Sequence, residues 1–244
     1  MGTPPPASRD GFGAGWYAPG EPVPARYRRA VPIWGDPSFA DLARAVRTTA
    51  LLAAVRDATL PGADGEAAAE PFAAGEWLFS HNGAVAGWPV TLVPLVATLP
   101  PVDVLSLEAR SDFAFVWALV HARLRAGEDE GQALADTVLE AAAAAPGSRL
   151  NLILTQGHRI AATAWGDTPW YLARSDGGTV VASEPYDDDP HWREVPDRTL
   201  LTASRTSVRL TPLHPGSGPR TEGARSSQRR GTMVNSHFVP TRPC

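Results

Sequence analysis

Five consecutive residues, Phe79-Ser80-His81-Asn82-Gly83, combine groups that acyl-transfer chemistry needs. They follow a short apolar stretch with the pattern of a strand, and a terminal glycine lets the Gly83 N–H approach a ligand closely. The Asn82 side-chain amide offers a second donor. Two donors that converge on one point form an oxyanion hole, which stabilises a tetrahedral intermediate. Taken alone, Asn-Gly more commonly marks a hairpin turn, so this segment leaves both interpretations open.

Two charged residues elsewhere could grip the free end of an amino acid. Arg56 ends an apolar run, and its planar guanidinium can hold a carboxylate through two parallel hydrogen bonds. Asp112 follows Ser111 at the start of a predicted helix and could accept hydrogen bonds from an ammonium group. With an oxyanion hole, these groups would hold an α-amino acid head while an amide further along is cleaved. The alternatives are a surface arginine and a helix-capping aspartate.

The order of elements predicts how these residues are positioned. The run Asp10-Gly11-Phe12-Gly13-Ala14-Gly15-Trp16-Tyr17 predicts a strand against which another part of the chain packs very closely. Ser38 is predicted to cap a helix over 39–47, and the apolar run 51–56 is typical of a strand buried on both faces. Two helices follow, over about 112–126 and 130–145, and then hairpin-connected strands. This order predicts an α+β fold with antiparallel sheets.

Composition excludes several classes of function. The 244 residues are 43% hydrophobic and 20% charged, as in a globular protein with a sizeable core. A net charge of −4 gives no basic field for nucleic acid or anionic lipid. The most apolar long window, 88–107, contains four prolines and therefore cannot be a membrane helix. We expect a cytoplasmic protein without nucleic-acid or membrane partners.

The ends of the chain differ from its middle. Residues 1–9 are a Pro-rich stub without the features of a signal peptide, 10–213 are predicted to form one domain, and 214–244 are predicted to be a disordered tail. The only cysteine is Cys244, the last residue, so neither a disulfide framework nor a thiolate metal site is expected. No cofactor is predicted.

Taken in order, the motifs resemble the class II glutamine amidotransferases, the branch of the N-terminal nucleophile (Ntn) hydrolases that uses an N-terminal cysteine. The motifs are Asp-Gly-Phe-Gly-x-Gly-Trp-Tyr from Asp10, Ala-x-Val-Arg-x-Ala-Thr around Arg56, Ser-His-Asn-Gly from Ser80, and Ser-Asp from Ser111. The resemblance covers about residues 10–213 and implies a four-layer αββα sandwich.

The resemblance also implies roles for the site residues. Arg56 would hold a glutamyl α-carboxylate, Asp112 would hold the α-ammonium, and Asn82 and Gly83 would form the oxyanion hole. In the family, the thiolate of the N-terminal cysteine attacks the γ-carbonyl, its own α-amine acts as general base, and no metal is needed. The remaining implied substrate-binding positions are Asp10, Gly11 and His81.

Finer motifs resemble one branch of that family. Pro-Ile-Trp-Gly-Asp at 32–36, Trp-Leu-Phe-Ser-His-Asn-Gly at 77–83 and Val-Ala-Ser-Glu-Pro at 181–185 are similar to the actinobacterial hydrolases of ergothioneine biosynthesis. That resemblance implies removal of the γ-glutamyl group from γ-glutamyl-hercynylcysteine sulfoxide. The alternatives are a stand-alone glutaminase-type half that passes ammonia to a partner, and a non-catalytic γ-glutamyl-binding protein.

The chain departs from the family at its start. The family begins Met-Cys-Arg, and the nucleophile, its strand and a helical region precede the Asp-Gly-Phe-Gly motif, which begins here at position 10. Cys244 is no substitute, because its α-amine is in a peptide bond. We therefore expect that the first elements of the sandwich are missing, that apolar sheet surface is exposed, and that this polypeptide is inactive. The expectation fits either an upstream start site or a truncated copy.

Overall fold

The computed structural model describes residues 11–56, 65–174 and 177–214. Asp10, the Asp-Ala-Thr that follows Arg56, and nearly all of the predicted tail lie outside these residues. The strands are β1 Gly11–Trp16, β2 Ala25–Arg29, β3 Leu51–Arg56, β4 Phe72–Ala74, β5 Trp77–Ala84, β6 Arg149–Thr155, β7 Arg159–Ala164, β8 Trp170–Ala173, β9 Thr179–Ala182, β10 Arg193–Glu194, β11 Thr199–Ser204 and β12 Val208–Pro212. The helices are α1 Phe39–Ala45, α2 Val93–Val96, α3 Pro101–Leu105, α4 Asp112–Arg125 and α5 Glu130–Ala144.

All strand pairs in the described residues are antiparallel, as the sequence predicts. The largest sheet has six strands in the order β12-β11-β7-β6-β5-β4. Two three-stranded sheets, β2-β1-β3 and β10-β8-β9, pack on one face of it. Ile153 on β6 contacts the clusters beneath both small sheets, so the two sheets together form a second β layer.

Helices cover the two outer faces. The other face of the six-stranded sheet packs on α4 and α5 through the main core, where Phe79, Leu152 and Leu154 are fully buried. On the far side, Phe39 of α1 contacts Phe12 of β1, with ring centroids 4.7 Å apart. The layers therefore run α, β, β, α, which confirms the predicted sandwich.

The glycines of β1 let the two β layers approach each other. A Cβ atom at Gly13 would lie 2.3 Å from the Glu70 carbonyl oxygen, and one at Gly15 would lie 2.6 Å from the Leu78 side chain. Real Cβ atoms do not approach other atoms this closely. The alternating glycines therefore mark close packing, as predicted.

One local prediction is wrong, and another is confirmed in position only. Strand β3 is not buried on both faces, since Leu51 and Val55 are 62% and 71% exposed while Leu52 faces the other β layer. An uninterrupted apolar run does not distinguish these two situations. Ser38 precedes α1, but its side chain makes no capping hydrogen bond.

No helix in the described ranges is both long and apolar enough to cross a membrane.

Replacing Gly13 with alanine tests the close approach of the layers. The added Cβ would collide with backbone, which cannot move aside cheaply, so we expect a loss of about 2 kcal/mol in the free energy of unfolding. Urea denaturation measures this loss. The control is Gly35→Ala, whose Cβ would find its nearest neighbour at 3.6 Å and should leave the midpoint nearly unchanged. Equal effects of the two substitutions would contradict the packing argument.

Candidate active site

The predicted oxyanion residues lie within a strand and not in a turn. Asn82 and Gly83 belong to β5, where they pair with Asn151 and Leu150 of β6. Gly83 has φ +153°, and a Cβ there would lie 2.1 Å from the Arg149 carbonyl oxygen. No other residue fits this backbone. The hairpin-turn interpretation of Asn-Gly is therefore wrong.

The side chains of β5 alternate between the two β-sheet faces. Ser80 lies opposite Ile153, whose side chain contacts the second β layer, so Ser80 and Asn82 face that layer. Ser80 is buried, whereas Asn82 is exposed to solvent. His81 points the other way, against Phe113 of α4, with the two rings perpendicular and 5.0 Å apart.

The backbone N–H groups of His81, Gly83 and Val85 point toward the edge of β5 that faces away from β6. Strand β4 pairs with β5 only as far as Phe72 opposite Phe79, so β4 offers no acceptor beyond that point. The His81 N–H instead donates to Glu70 Oε1 at 2.8 Å. The Val85 N–H donates to Asp112 Oδ2, also at 2.8 Å. Gly83 lies between them, and no side chain among the described residues accepts from its N–H. This donor is available to a ligand.

Arg56 faces the same space from the second β layer. Arg56 is the last residue of β3 and pairs with Gly11 of β1. Gly11 lies on the same face of β1 as Gly13 and Gly15, where an added Cβ atom would point at the other β layer. Its side chain is largely buried. The Arg56 charge lowers the pKa of Glu70, whereas the Asp112 charge raises it, so all three groups lie within electrostatic range of one another. The structure thus places Arg56 within electrostatic range of the two carboxyl groups that flank the Gly83 N–H.

Asp112 is not the helix cap. The capping residue of α4 is Ser111, whose hydroxyl accepts from the Ala114 N–H at 3.2 Å. Asp112 is the first helical residue, and its buried carboxylate instead holds the Val85 N–H. A negative charge at a helix N-terminus is favourable, which lowers the cost of burying it.

Glu70 is a site residue that sequence reasoning missed. It is buried, and its carboxyl group accepts from the His81 N–H and, at 3.1 Å, from the Ser80 hydroxyl. Burial raises its pKa to about 8. The sequence gives one indication that Glu70 is unusual, because it is the one charged residue in the short apolar run 67–74.

His81 positions the strand and does not face the site. Its ring is buried on the helix side, where Nε2 lies 2.9 Å from the Arg149 carbonyl oxygen. A carbonyl only accepts, so Nε2 carries the proton and Nδ1, which has no partner within the described residues, does not. Burial lowers the pKa of His81, which favours this neutral form. The structure therefore gives no support to the predicted substrate contact of His81.

The assembled groups can bind a zwitterionic head and polarise a carbonyl. Arg56 offers a cation, Asp112 an anion and Gly83 an N–H donor. The described ranges contain no cluster of His, Cys, Asp or Glu that could hold a metal ion. They contain no cysteine either, since the only one is Cys244.

Of the other predicted positions, Gly11 lies opposite Arg56, and Asp10 lies outside the described residues.

The raised pKa of Glu70 predicts how stability depends on pH. Between its unfolded pKa of 4.5 and its folded pKa of about 8, the folded protein holds a proton that unfolding releases. Stability should therefore be highest below the unfolded value and fall by about 1.4 kcal/mol per pH unit as pH rises toward 8. Glu70→Gln, which is neutral at every pH, should flatten this fall when urea midpoints are compared from pH 5 to 8. Glu66→Gln, which removes an exposed carboxylate in the same stretch of chain, should leave the fall unchanged. Parallel losses in wild type and Glu70→Gln would contradict the assignment.

The chain is similar to known proteins over most of its length. The family model of class II glutamine amidotransferases matches residues 2–176. Two relatives are named gamma-glutamyl-hercynylcysteine sulfoxide hydrolase. The one from Mycobacterium tuberculosis (strain CDC 1551 / Oshkosh) is 42% identical over 211 residues, which cover 86% of this chain and 82% of the relative. The one from Mycolicibacterium smegmatis is 43% identical over 204 residues, which cover 84% of this chain and 82% of the relative.

Solved structures share the fold. A glutamine aminotransferase class-II domain protein from Silicibacter pomeroyi superposes with a TM-score of 0.68 at 24% identity, over 84% of this chain and 92% of that one. A glutamine phosphoribosylpyrophosphate amidotransferase from B. subtilis gives a TM-score of 0.60 at 16% identity, over 85% of this chain and 44% of that one. With the family model matching more than half of the residues, the chain belongs to the class II glutamine amidotransferase family.

Proposed function

We propose that this protein is a γ-glutamyl amidohydrolase that acts on γ-glutamyl-hercynylcysteine sulfoxide, the substrate named for its relatives. The observation that supports this most directly is the open Gly83 N–H between the carboxyl groups of Glu70 and Asp112 at the end of β5, with Arg56 facing it. The product would be glutamate, and the step would belong to ergothioneine biosynthesis.

The site fits a glutamyl group in one orientation. Asp112 binds the substrate α-ammonium, and Arg56 binds its α-carboxylate through paired hydrogen bonds. Asp112 is held by the Val85 N–H, two residues beyond the Gly83 N–H, so the two N–H groups lie about 7 Å apart along the strand. An extended glutamyl side chain spans such a distance and brings its γ-carbonyl oxygen to Gly83. The exposed amide of Asn82 supplies the second donor.

Glu70 keeps the charge of the site balanced. Two ionised carboxylates flanking the Gly83 N–H would oppose the negative charge that develops on the carbonyl oxygen. Because its pKa is raised to about 8, Glu70 is mostly protonated at neutral pH and contributes no such charge. Asp112 is then neutralised by the substrate ammonium.

The reaction requires a thiolate that the described residues do not supply. In the proposed mechanism, a cysteine Sγ bonds to the carbon of the γ-carbonyl group, and the α-amine of that cysteine passes the thiol proton to the departing nitrogen as the C–N bond breaks. Water then hydrolyses the thioester and releases glutamate. We propose that this cysteine lies on a strand beside β3, which pairs only with β1 in the described residues and has an exposed apolar face.

Supplying the cysteine tests the proposal. We expect the chain as given to release no glutamate from γ-glutamyl-hercynylcysteine sulfoxide. The same chain preceded by a segment that begins Met-Cys-Arg, as in the family, should release glutamate, and a matched segment with serine for cysteine should not. Liquid chromatography measures the glutamate.

Two outcomes would change the assignment. Faster release from L-glutamine than from the sulfoxide would favour the glutaminase alternative. A folded, cysteine-bearing protein that binds L-glutamate without turning over either substrate would leave a γ-glutamyl-binding protein. Turnover by the chain as given would contradict the requirement for an added cysteine.

A further inference from the structure

Asn151 is a buried side chain in contact with the oxyanion segment, and the mechanism above gives it no role. Its amide nitrogen donates to the Asn82 carbonyl oxygen at 3.0 Å and to Asp167 Oδ2 at 3.2 Å. Its amide oxygen accepts from the Trp165 N–H at 2.9 Å. A backbone N–H only donates, so this last contact fixes the orientation of the amide and places the NH₂ group against Asn82.

The surrounding strands explain why Asn151 can reach Asn82. The regular pairing of β6 with β7 stops at Ile153 opposite Ala162. Beyond that pair, side chains bridge the strands, as when the Leu152 N–H donates to Thr163 Oγ1 at 3.0 Å. The Trp165 N–H likewise meets the Asn151 side chain. The Asn151 amide is thereby held between β7 and the end of β5.

The backbone directions follow from alternation along the strands. The Leu150 N–H donates to the Trp165 carbonyl at 2.9 Å, so the backbone groups of Leu150 face β7. Those of its neighbour Asn151 therefore face β5, and the Asn82 carbonyl opposite points back toward β6. The Asn151 side chain adds a second hydrogen bond to that same carbonyl.

The Asn82 carbonyl and the Gly83 N–H belong to one peptide unit. A trans peptide is planar, and its C=O and N–H point in opposite directions. Holding the carbonyl toward β6 therefore directs the Gly83 N–H toward the open edge of β5. Gly83 has no side chain to restrain this unit, and its φ of +153° lies where glycine alone is comfortable.

We propose that Asn151 is a positioning residue that sets the direction of the Gly83 N–H and so forms the oxyanion hole without touching the substrate. This inference rests on the proposed function, because the Gly83 N–H must meet the γ-carbonyl oxygen. It predicts that loss of the Asn151 amide donor weakens ligands that carry negative charge at the γ-position and spares ligands that use only the amino acid head.

Two probes separate these effects in the chain as given, where no turnover intervenes. L-2-Amino-4-phosphonobutanoate has the amino acid head and a tetrahedral anion at the far end, whereas L-norvaline has the same head and no polar group there. Calorimetry gives both dissociation constants. In Asn151→Asp, which keeps the size and the acceptor but loses the donor, we expect phosphonate binding to weaken at least tenfold and norvaline binding to change less than twofold. Asn151→Ala, which removes the donor without adding a negative charge, makes the same comparison and also serves should Asn151→Asp fail to fold.

Asp167→Asn is the matched control, because it alters the other partner of the Asn151 amide and leaves the Asn82 contact in place. It should bind both probes as wild type does. In ¹⁵N–¹H spectra, the Gly83 amide should shift when the phosphonate binds to wild type and to Asp167→Asn, and should not shift in the Asn151 variants.

The outcomes distinguish a failure of the positioning role of Asn151 from a failure of the proposed function. Equal weakening of both probes, or a Gly83 shift that persists in the Asn151 variants, would overturn the positioning role and leave the proposed function standing. A wild-type chain that binds neither probe would overturn the proposed function and this inference with it.

Discussion

The candidate site depends on a sheet edge whose hydrogen bonds are made by side chains. A buried N–H without an acceptor is costly, so the edge of β5 beyond β4 requires partners. Glu70 supplies one to His81 and Asp112 supplies one to Val85, which leaves the Gly83 N–H between them for a ligand. The donor that we propose binds the ligand is thus left open where β4 stops pairing, and both neighbouring carboxyl groups hold the strand and shape the electrostatics around it.

The close packing of the two β layers supports this arrangement. Gly13 lets the Glu70 backbone lie directly on β1, and the same approach places the Glu70 carboxyl group against Ser80 and His81. A larger residue at position 13 would displace both Glu70 and the edge of β5 that it holds. The glycine-rich strand therefore contributes to the chemistry through geometry, although none of its described residues has a side chain that could react.

Much of this organisation is predictable from the sequence, because it is local. Helices α4 and α5 follow from capping residues and apolar spacing, and the antiparallel sheets follow from hairpin signals. Arg56, Gly83 and Asp112 are identifiable because each occupies a characteristic position at the end of a strand or the start of a helix. The apolar run 51–56 does not by itself show that one face of β3 is exposed, because what covers a strand depends on elements distant in sequence.

Glu70 and Asn151 show what local patterns miss. Both act through side chain–backbone hydrogen bonds, and Asn151 reaches a residue 69 positions away in the chain. Neither sits in a motif, and each looks in the sequence like an ordinary polar residue near a strand. Their roles emerge only when the ladder of β5 is followed along both edges, and the missing backbone partners are accounted for.

The most direct test is a crystal structure of the chain with L-glutamate bound. The account predicts the α-carboxylate on Arg56, the α-ammonium on Asp112 and a γ-carboxylate oxygen within hydrogen-bonding distance of the Gly83 N–H. Glutamate bound with its ends reversed, or bound elsewhere while the Gly83 N–H faces solvent, would contradict it.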